Sequence, residues 1–417
     1  MTTSRRKFIS NAVTGGIAAA LPVFGEVNET LKEKYTKLDK ILEKPVLKRE
    51  LFSYPVIIDK LELLRLEDTF LCRVISKDGA IGISVANNDQ KVSLYPVFVN
   101  RLRPFFKDKD ARDLEKLLEE VYVYKSNYKM QNLALWVPLA TIEFAILDML
   151  GRIAGKSIGE LIGVIHNRKI AVYQANGDRG ISAEATIGNI RKEVEGSDAK
   201  AIKFKIGGRM SNNFEEPEGR TEKLIPLVRK TFGEKMVLYA DSNGSYTTDE
   251  AIRIGKILEE YRIDFYEEPV PFDWYEETLE VAGALKIPIA GGEQEPSLHM
   301  FRWLIANDAL QIVQPDMFYF GGMIRSMKVA RMAEAFGKNC TPHISGSGIG
   351  YLYMMHFVSA IPNAGPFHEF KGFNEELPFE CKTSALTSNE GVVMVPSGPG
   401  LGIEIDPEYI RKHEVVK

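Results

Sequence analysis

The chain has 417 residues, 45% hydrophobic and 26% charged, which is enough for one large domain and a second smaller one. A net charge of −4 and a pI near 6.0 argue against a nucleic-acid partner, which needs a basic face. Three scattered cysteines, Cys72, Cys340 and Cys381, are too few for a disulfide framework or a zinc cluster and read as free thiols.

The chain opens on Ser4-Arg5-Arg6-Lys7-Phe8-Ile9 and a mildly apolar run from Ala12 to Phe24. Basic then apolar is the order of an export signal, and the paired arginines suggest the twin-arginine route. Residues 1–25 are therefore expected to lie outside the fold. The protein is expected to be periplasmic, or membrane-anchored if the signal is kept, since no clear cleavage site stands near Leu21 to Glu26. The plainer alternative is a basic tail with a chance apolar stretch. No other segment is expected to span a membrane, which takes about 18 apolar residues.

Glu26 to Lys44 is charged and expected to be helical or loosely ordered. Strand patterns follow at Ile57 to Leu66, Phe70 to Ser76 and Ile81 to Ala86, with an Asp78-Gly79 turn. Helical periodicity takes over in Leu94 to Phe105, Ala111 to Val123 and Leu133 to Gly155. Strands followed by helices predict an α+β capping domain over residues 45–165. From His166 short apolar runs alternate with amphipathic helices. Strands are predicted at Ile170 to Gln174, Ala201 to Ile206, Met236 to Ala240, Ile263 to Tyr266, Ile287 to Ala290, Leu310 to Val313, Asn339 to Pro342 and Gly365 to His368. Eight strands with about seven helices between them predict an α/β fold, a (β/α)7β TIM-type barrel over residues 166–369. The Pro- and Gly-rich remainder, 370–417, with short strands such as Val392 to Val395, is expected to return to the capping domain.

Three of these strands close on an acid: Asp241, Glu267 and Glu293, spaced 26 and 26 residues apart, about one strand-plus-helix unit. In a barrel such ends converge on one mouth, where active sites sit. Two carboxylates about 4 Å apart repel by roughly 4 kcal/mol at an effective dielectric near 20, so three of them call for a cation. The simplest occupant is a hard divalent ion with oxygen ligands, Mg²⁺ before Mn²⁺ or Ca²⁺. A single acid after a strand is far more often a helix cap or a solvated loop residue, and Glu268 and Glu295 are read that way.

Lys203 and Lys205 lie on one face of the second barrel strand, with Phe204 opposite. Two cations side by side favour loss of a proton from one, which makes it a base; a pair of snorkelling surface lysines is the bland alternative. Asp316 and His343 end the sixth and seventh strands and can form an acid-base dyad. His166, His299, His356 and His413 are read as structural. Ser345-Gly346-Ser347-Gly348 follows His343 directly, so it makes no nucleophile elbow; it reads as an anion cradle or a tight loop.

The set Lys203-x-Lys205, Asp241-x-Asn243, Glu267-Glu268-Pro269, Gly292-Glu293, Pro315-Asp316, His343 and Glu369 resembles the enolase superfamily, and within it the mandelate racemase subgroup. The resemblance covers nearly all of the chain after residue 45 and includes Ala145-Ile146-Leu147-Asp148 to Gly163. It implies that Asp241, Glu267 and Glu293 bind one Mg²⁺, with Mn²⁺ an alternative. It further implies Lys205 as one acid/base seconded by Lys203, the His343–Asp316 dyad as the other, and Glu369 and Asn243 as substrate-binding residues. The chemistry is coherent: removal of a proton next to a carboxylate makes a dianionic enediolate, and cation and acid neutralise that charge as it develops.

The reaction expected from the resemblance is dehydration of an acid sugar, with a racemase, epimerase or cycloisomerase as the runner-up. A non-catalytic exported carbohydrate-binding protein is the rival from another class, and a homo-oligomer is expected. One departure bears on the substrate. The subgroup's lid loop between the first two cap strands has almost no room in Leu66-Glu67-Asp68-Thr69. This predicts an open mouth, one that accepts the terminal uronate of an oligosaccharide and leaves a 4,5-unsaturated sugar, unless Leu51 to Val56 supplies the lid.

Overall fold

A computed structural model describes residues 29–346, 348–372 and 377–417. The signal segment expected at 1–25 falls outside them. A capped helix, Leu31–Leu42, comes first, with Thr30 and Glu33 forming a capping box. The cap is an antiparallel meander of β1 (Ile58–Leu66), β2 (Thr69–Ser76) and β3 (Ile81–Val85). Glu67 and Asp68 alone turn β1 into β2, with Leu66 paired to Thr69 and Glu67 at φ 51°, so the hairpin has no length to extend as a lid.

The helix Leu133–Ala154 lies across this sheet, at its closest over Gly82, where an added Cβ would stand 2.1 Å from the Ala145 carbonyl oxygen. This helix corrects one expectation: it is long and apolar enough to cross a membrane, yet most of its length is buried inside the protein. Its apolar surface is spent on two partners, the cap sheet and the barrel.

The barrel strands are β4 (Lys169–Ala175), β5 (Ala201–Lys205), β6 (Val237–Asp241), β7 (Phe265–Glu267), β8 (Ile289–Gly291), β9 (Ile312–Val313), β10 (Asn339–Cys340) and β11 (His368–Phe370). They are parallel, in sequence order from β4 to β10, with β11 on the far side of β4. An isolated parallel bridge from Cys340 to Ala364, just ahead of β11, joins the two ends. The fold is therefore a TIM-type barrel with a capping domain. The tail divides its pairing: Val392–Met394 adds antiparallel to β4, whereas Glu414–Val415 pairs with β1 of the cap.

The period of two sorts each strand between two cores. Outward residues such as Phe204, Leu238, Ala240 and Tyr266 join the large core beneath the helices. Inward residues form layers. Tyr173, Tyr239 and Phe265 fill the floor with Ala201 and Ala290, and Tyr239 stacks on Phe265 at 3.8 Å. Farther along the strands the same face carries Lys203, Lys205, Asp241 and Glu267, with Lys205, Asp241 and Glu267 aligned in register. An apolar floor thus supports a charged layer.

Two buried acids of the helix Leu133–Ala154 weld the pieces together. Glu143 accepts the Met323 and Ile324 N–H groups at 2.6 and 3.0 Å, capping a barrel helix. Asp148 accepts from Ile83 of β3 at 2.9 Å and from Leu401 of the tail at 2.8 Å. His356 lies in the same seam, fully buried, with Nε2 3.0 Å from the Leu401 carbonyl oxygen. Burial pulls it down to about 4, against the pull of that hydrogen bond. A histidine lowered on folding withholds a proton that the unfolded chain takes up. Its stabilising contribution is therefore complete above the unfolded value near 6.5 and is lost as pH falls toward about 4, at about 1.4 kcal/mol per pH unit. His356→Gln is expected to flatten the fall of Tm between pH 6.5 and 4; an unchanged slope by scanning calorimetry would reject this source.

Candidate active site

The charged layer is wired in pairs. Lys203 Nζ lies 2.9 and 3.0 Å from the two Glu267 oxygens, with Asp241 at 3.7 Å, and stands 5.4 Å over the Tyr173 ring. Burial disfavours its charge, but Glu267 above all, then Glu369 and Asp241, hold it protonated well above the ordinary lysine value. Lys205 Nζ pairs with Asp241 Oδ2 and lies 3.2 Å from Asn243 Oδ1. Each ammonium group thus faces its own carboxylate rather than the other lysine. Burial raises Glu267, Asp241 raises it further, and Lys203 only partly offsets them, leaving it at about 7. Gln314 donates to Glu267 at 3.0 Å.

Beyond β6 and β7 the backbone leaves the strand abruptly: Asn243 and Glu268 both sit at φ 43°, a region non-glycine residues seldom occupy. Asn243 donates its N–H to Asp241 Oδ1 at 2.8 Å and its amide to Glu268 at 3.2 Å, while Arg179 donates to its Oδ1 at 2.8 Å. The kink overturns the reading of Glu268 as a cap or solvated loop residue. Strand alternation would turn it away from Glu267; instead it is buried in the pocket wall, with Oε1 unpartnered. Burial, then the charges of Glu293, Asp241 and Glu267, raise it well above the ordinary value. Glu295 does serve at a helix entry, accepting the Ser297 N–H at 2.8 Å and the Tyr275 hydroxyl at 2.7 Å, but it is buried rather than solvated.

On the other flank, His343 Nδ1 lies 2.7 Å from Asp316 Oδ2. Asp316 also accepts the N–H groups of Phe318, Tyr319 and Ser345 at 2.7, 2.8 and 2.6 Å, and the Ser345 hydroxyl at 3.0 Å. Ser345 therefore spends its donors on Asp316, which favours the tight-loop reading over the anion cradle. His343 Nε2 is 3.6 Å from Glu293 and 3.8 Å from Glu369. Burial opposes its charge, but Glu293, the Asp316 hydrogen bond and Glu369 together raise it to about 10. Glu369 Oε1 pairs with Lys371 at 3.0 Å, and its Oε2 is buried without a partner.

Lys203, Lys205, Asn243, Glu268, Glu293, His343 and Glu369 share one cavity of about 330 Å³ at the C-terminal ends of the strands. Asp241, Glu267 and Asp316 lie behind its wall, fully buried. Every described residue lining the cavity falls between Ala175 and Lys371, so neither the β1–β2 turn nor Leu51 to Val56 contributes. Phe52 and Val56 are instead buried in the cap, where Val56 N–H donates to Asp110 at 3.1 Å. Of the histidines read as structural, His356 and His413 are buried with carbonyl partners, whereas His166 and His299 are exposed. A second cavity of about 290 Å³, between Leu118, Trp136 and Arg325, contains none of the charged layer.

Among the described residues no three acids, cysteines or histidines stand ready to coordinate an ion, because the lysine ammonium groups rest on Asp241 and Glu267. The donor chemistry nonetheless fits a hard divalent cation: oxygen donors from three consecutive strand ends, an excess of acids, and a buried Glu268 oxygen with no partner. Sequence reasoning missed Glu268, Arg179 and Lys371. Lys371, two residues past Glu369, was the one that same-face spacing could have found.

Residues 187–409 match the family model described as enolase C-terminal domain-like. The chain is similar to an arabinonate dehydratase of Saccharolobus solfataricus, 28% identical over 307 residues, covering 73% of this chain and 79% of that protein. It is similar to a D-galactarolactone cycloisomerase of Agrobacterium fabrum, 28% identical over 312 residues, covering 73% and 80%. Among solved structures it is similar in fold to a mandelate racemase/muconate lactonizing protein of Paracoccus denitrificans complexed with magnesium. That match has a TM-score of 0.77 at 24% identity, covering 87% of this chain and 99% of the other.

Proposed function

Because the chain belongs to the enolase superfamily, in its mandelate racemase subgroup, we propose that it is a Mg²⁺-dependent dehydratase of acid sugars. It is a carbon–oxygen lyase, the class to which the arabinonate dehydratase relative belongs. The observation that carries the reading is two proton carriers, Lys205 and His343, entering one cavity from separate strands, each with its own carboxylate partner.

Asp241, Glu267 and Glu293 would hold the cation, which when bound neutralises charge developing on the substrate carboxylate. One of Lys205 and His343 takes the proton α to the carboxylate; the other delivers a proton to the β-hydroxyl as its C–O bond breaks and water leaves. Asp316 fixes the His343 ring through Nδ1 and supports its charged form. Lys203, locked on Glu267, adds positive charge beneath the site. Glu369 orients the substrate carboxylate together with Lys371, whose ammonium group supplies the donor that an ionised Glu369 lacks. Asn243, held by Arg179, contributes a second polar contact.

The substrate is the terminal uronate of an oligosaccharide. Loss of the C5 proton and the C4 hydroxyl leaves a 4,5-double bond conjugated with the carboxylate. What supports this is the cavity's described wall, which runs from Ala175 to Lys371, so no described cap residue closes over a longer chain. The twin-arginine-type signal supports export, with the periplasm as the site of action, and a homo-oligomer is the working state. Racemisation, epimerisation or cycloisomerisation through the same enediolate is the second reading, favoured by the cycloisomerase relative. Turnover in deuterium oxide separates the two. Dehydration is expected to yield an ultraviolet-absorbing unsaturated or keto acid, whereas α-deuterium in an otherwise unchanged acid would overturn it.

A further inference from the structure

Five aromatic side chains stand among the exposed large apolar residues of the described chain: Tyr54, Tyr128, Phe214, Phe272 and Trp274. Three of them, Phe214, Phe272 and Trp274, lie on two barrel loops, the one that follows β5 and the one that follows β7. Exposed Met210 belongs to the first loop as well. Apolar surface gathered at one rim is a recognition feature more often than an accident.

The two loops are stitched to the loop after β6 that runs between them. Met210 N–H donates to the Asn243 carbonyl at 3.0 Å, and Asn213 N–H to that of Ser245 at 2.7 Å. On the other side, Gly244 N–H donates to the Glu268 carbonyl at 2.8 Å. A Cβ added to Gly244 would stand 2.6 Å from Met210 Sδ and 3.0 Å from Pro271 Cα, so the loops pack together over this glycine, which sits at φ 67°. Met210 and Phe272 also line the reaction cavity, and exposed Arg209 stands beside them on its wall.

Resting on the acid-sugar reading of that cavity, we propose that this shelf is a sugar-stacking subsite. Phe272 would receive the ring next to the reacting uronate, and Trp274 and Phe214 would extend the surface toward the following one. A pyranose ring presents an apolar C–H face bounded by hydroxyls, which suits an aromatic plane with polar groups at its edge. Loops already fixed by backbone bonds lose little freedom on binding. The shelf is continuous with the cavity through Met210 and Phe272, so a chain leaving the cavity passes onto it. A second copy of the protein seated there would cover the entrance.

The test compares kcat/KM for a uronate-ended trisaccharide with that for the free uronate, in the parent protein and in Phe272→Ala/Trp274→Ala. The ratio is expected to fall at least tenfold in the double variant, mainly through KM. Equal losses on both substrates would overturn the subsite while leaving the dehydratase standing. Calorimetric binding of the trisaccharide to Lys205→Met, with and without the two substitutions, gives a readout that needs no turnover. A tenfold weakening there supports the shelf even if no acid sugar is dehydrated. Unchanged binding, or a shelf variant that changes the association state in sedimentation, overturns it.

Discussion

Replacing Lys205 by methionine is expected to lower turnover by about 10²- to 10⁴-fold, the usual worth of a positioned acid or base. Met preserves the length and packing of the side chain. Asp241 then loses its nearest ammonium partner, but Lys203 stays 3.7 Å away and the second Asp241 oxygen keeps the Asn243 N–H at 2.8 Å, so the fold should survive. His343→Asn is expected to cost a similar factor, and the two variants should differ in kind. Whichever of the two groups takes the α-proton, its loss abolishes both exchange with deuterium oxide and elimination. Loss of its opposite number leaves exchange running without dehydration. Circular dichroism and the Tm of each variant establish that it is folded. Retention of more than about a tenth of the activity in Lys205→Met would remove that residue from the chemistry.

Removing the divalent ion is expected to abolish turnover outright and to lower stability. A ligand that binds only the folded chain stabilises it by RT ln(1 + [L]/Kd), about 2.7 kcal/mol at a hundredfold excess over Kd. Mg²⁺ added to chelator-treated protein should therefore raise Tm in a concentration-dependent way. The acids give the physical reason: Asp241 and Glu293 both push Glu267 upward, and Lys203 offsets them only in part. Glu293→Gln removes one donor and one of those charges. It is expected to blunt the Mg²⁺-dependent rise while the metal-free protein stays as stable as its parent. A parent protein whose Tm and activity ignore both chelator and Mg²⁺ would rule out the metal reading.

The barrel was legible in the sequence because its signal is periodic. Buried parallel strands are short apolar runs, and acids at a fixed spacing of 26 residues mark their C-terminal ends. The predicted strands begin one to three residues early at several places, as at Leu310 against Ile312, because the apolar run enters the core before the ladder pairs. Glu268 was illegible for a different reason. Its role depends on a left-handed φ of 43°, and nothing in Glu-Glu-Pro announces that the strand's alternation stops there. The membrane-length helix Leu133–Ala154 shows the converse limit. Composition reports that a segment avoids water without saying whether lipid or protein takes its place. Arg179 was missed because a lone basic residue in a loop carries no pattern, whereas Lys371 is marked only by its same-face spacing of two from Glu369.

The pairing of Leu64 with Val415 links positions 351 residues apart (415 minus 64), so the first sheet acquires an outer strand only after nearly all of the chain has been made. Asp148 similarly waits for Leu401. Assembly of the N-terminal third thus depends on residues near 401 and 415, and until they are made a nascent chain would leave the outer edge of β1 raw and an acceptor oxygen of Asp148 unmet.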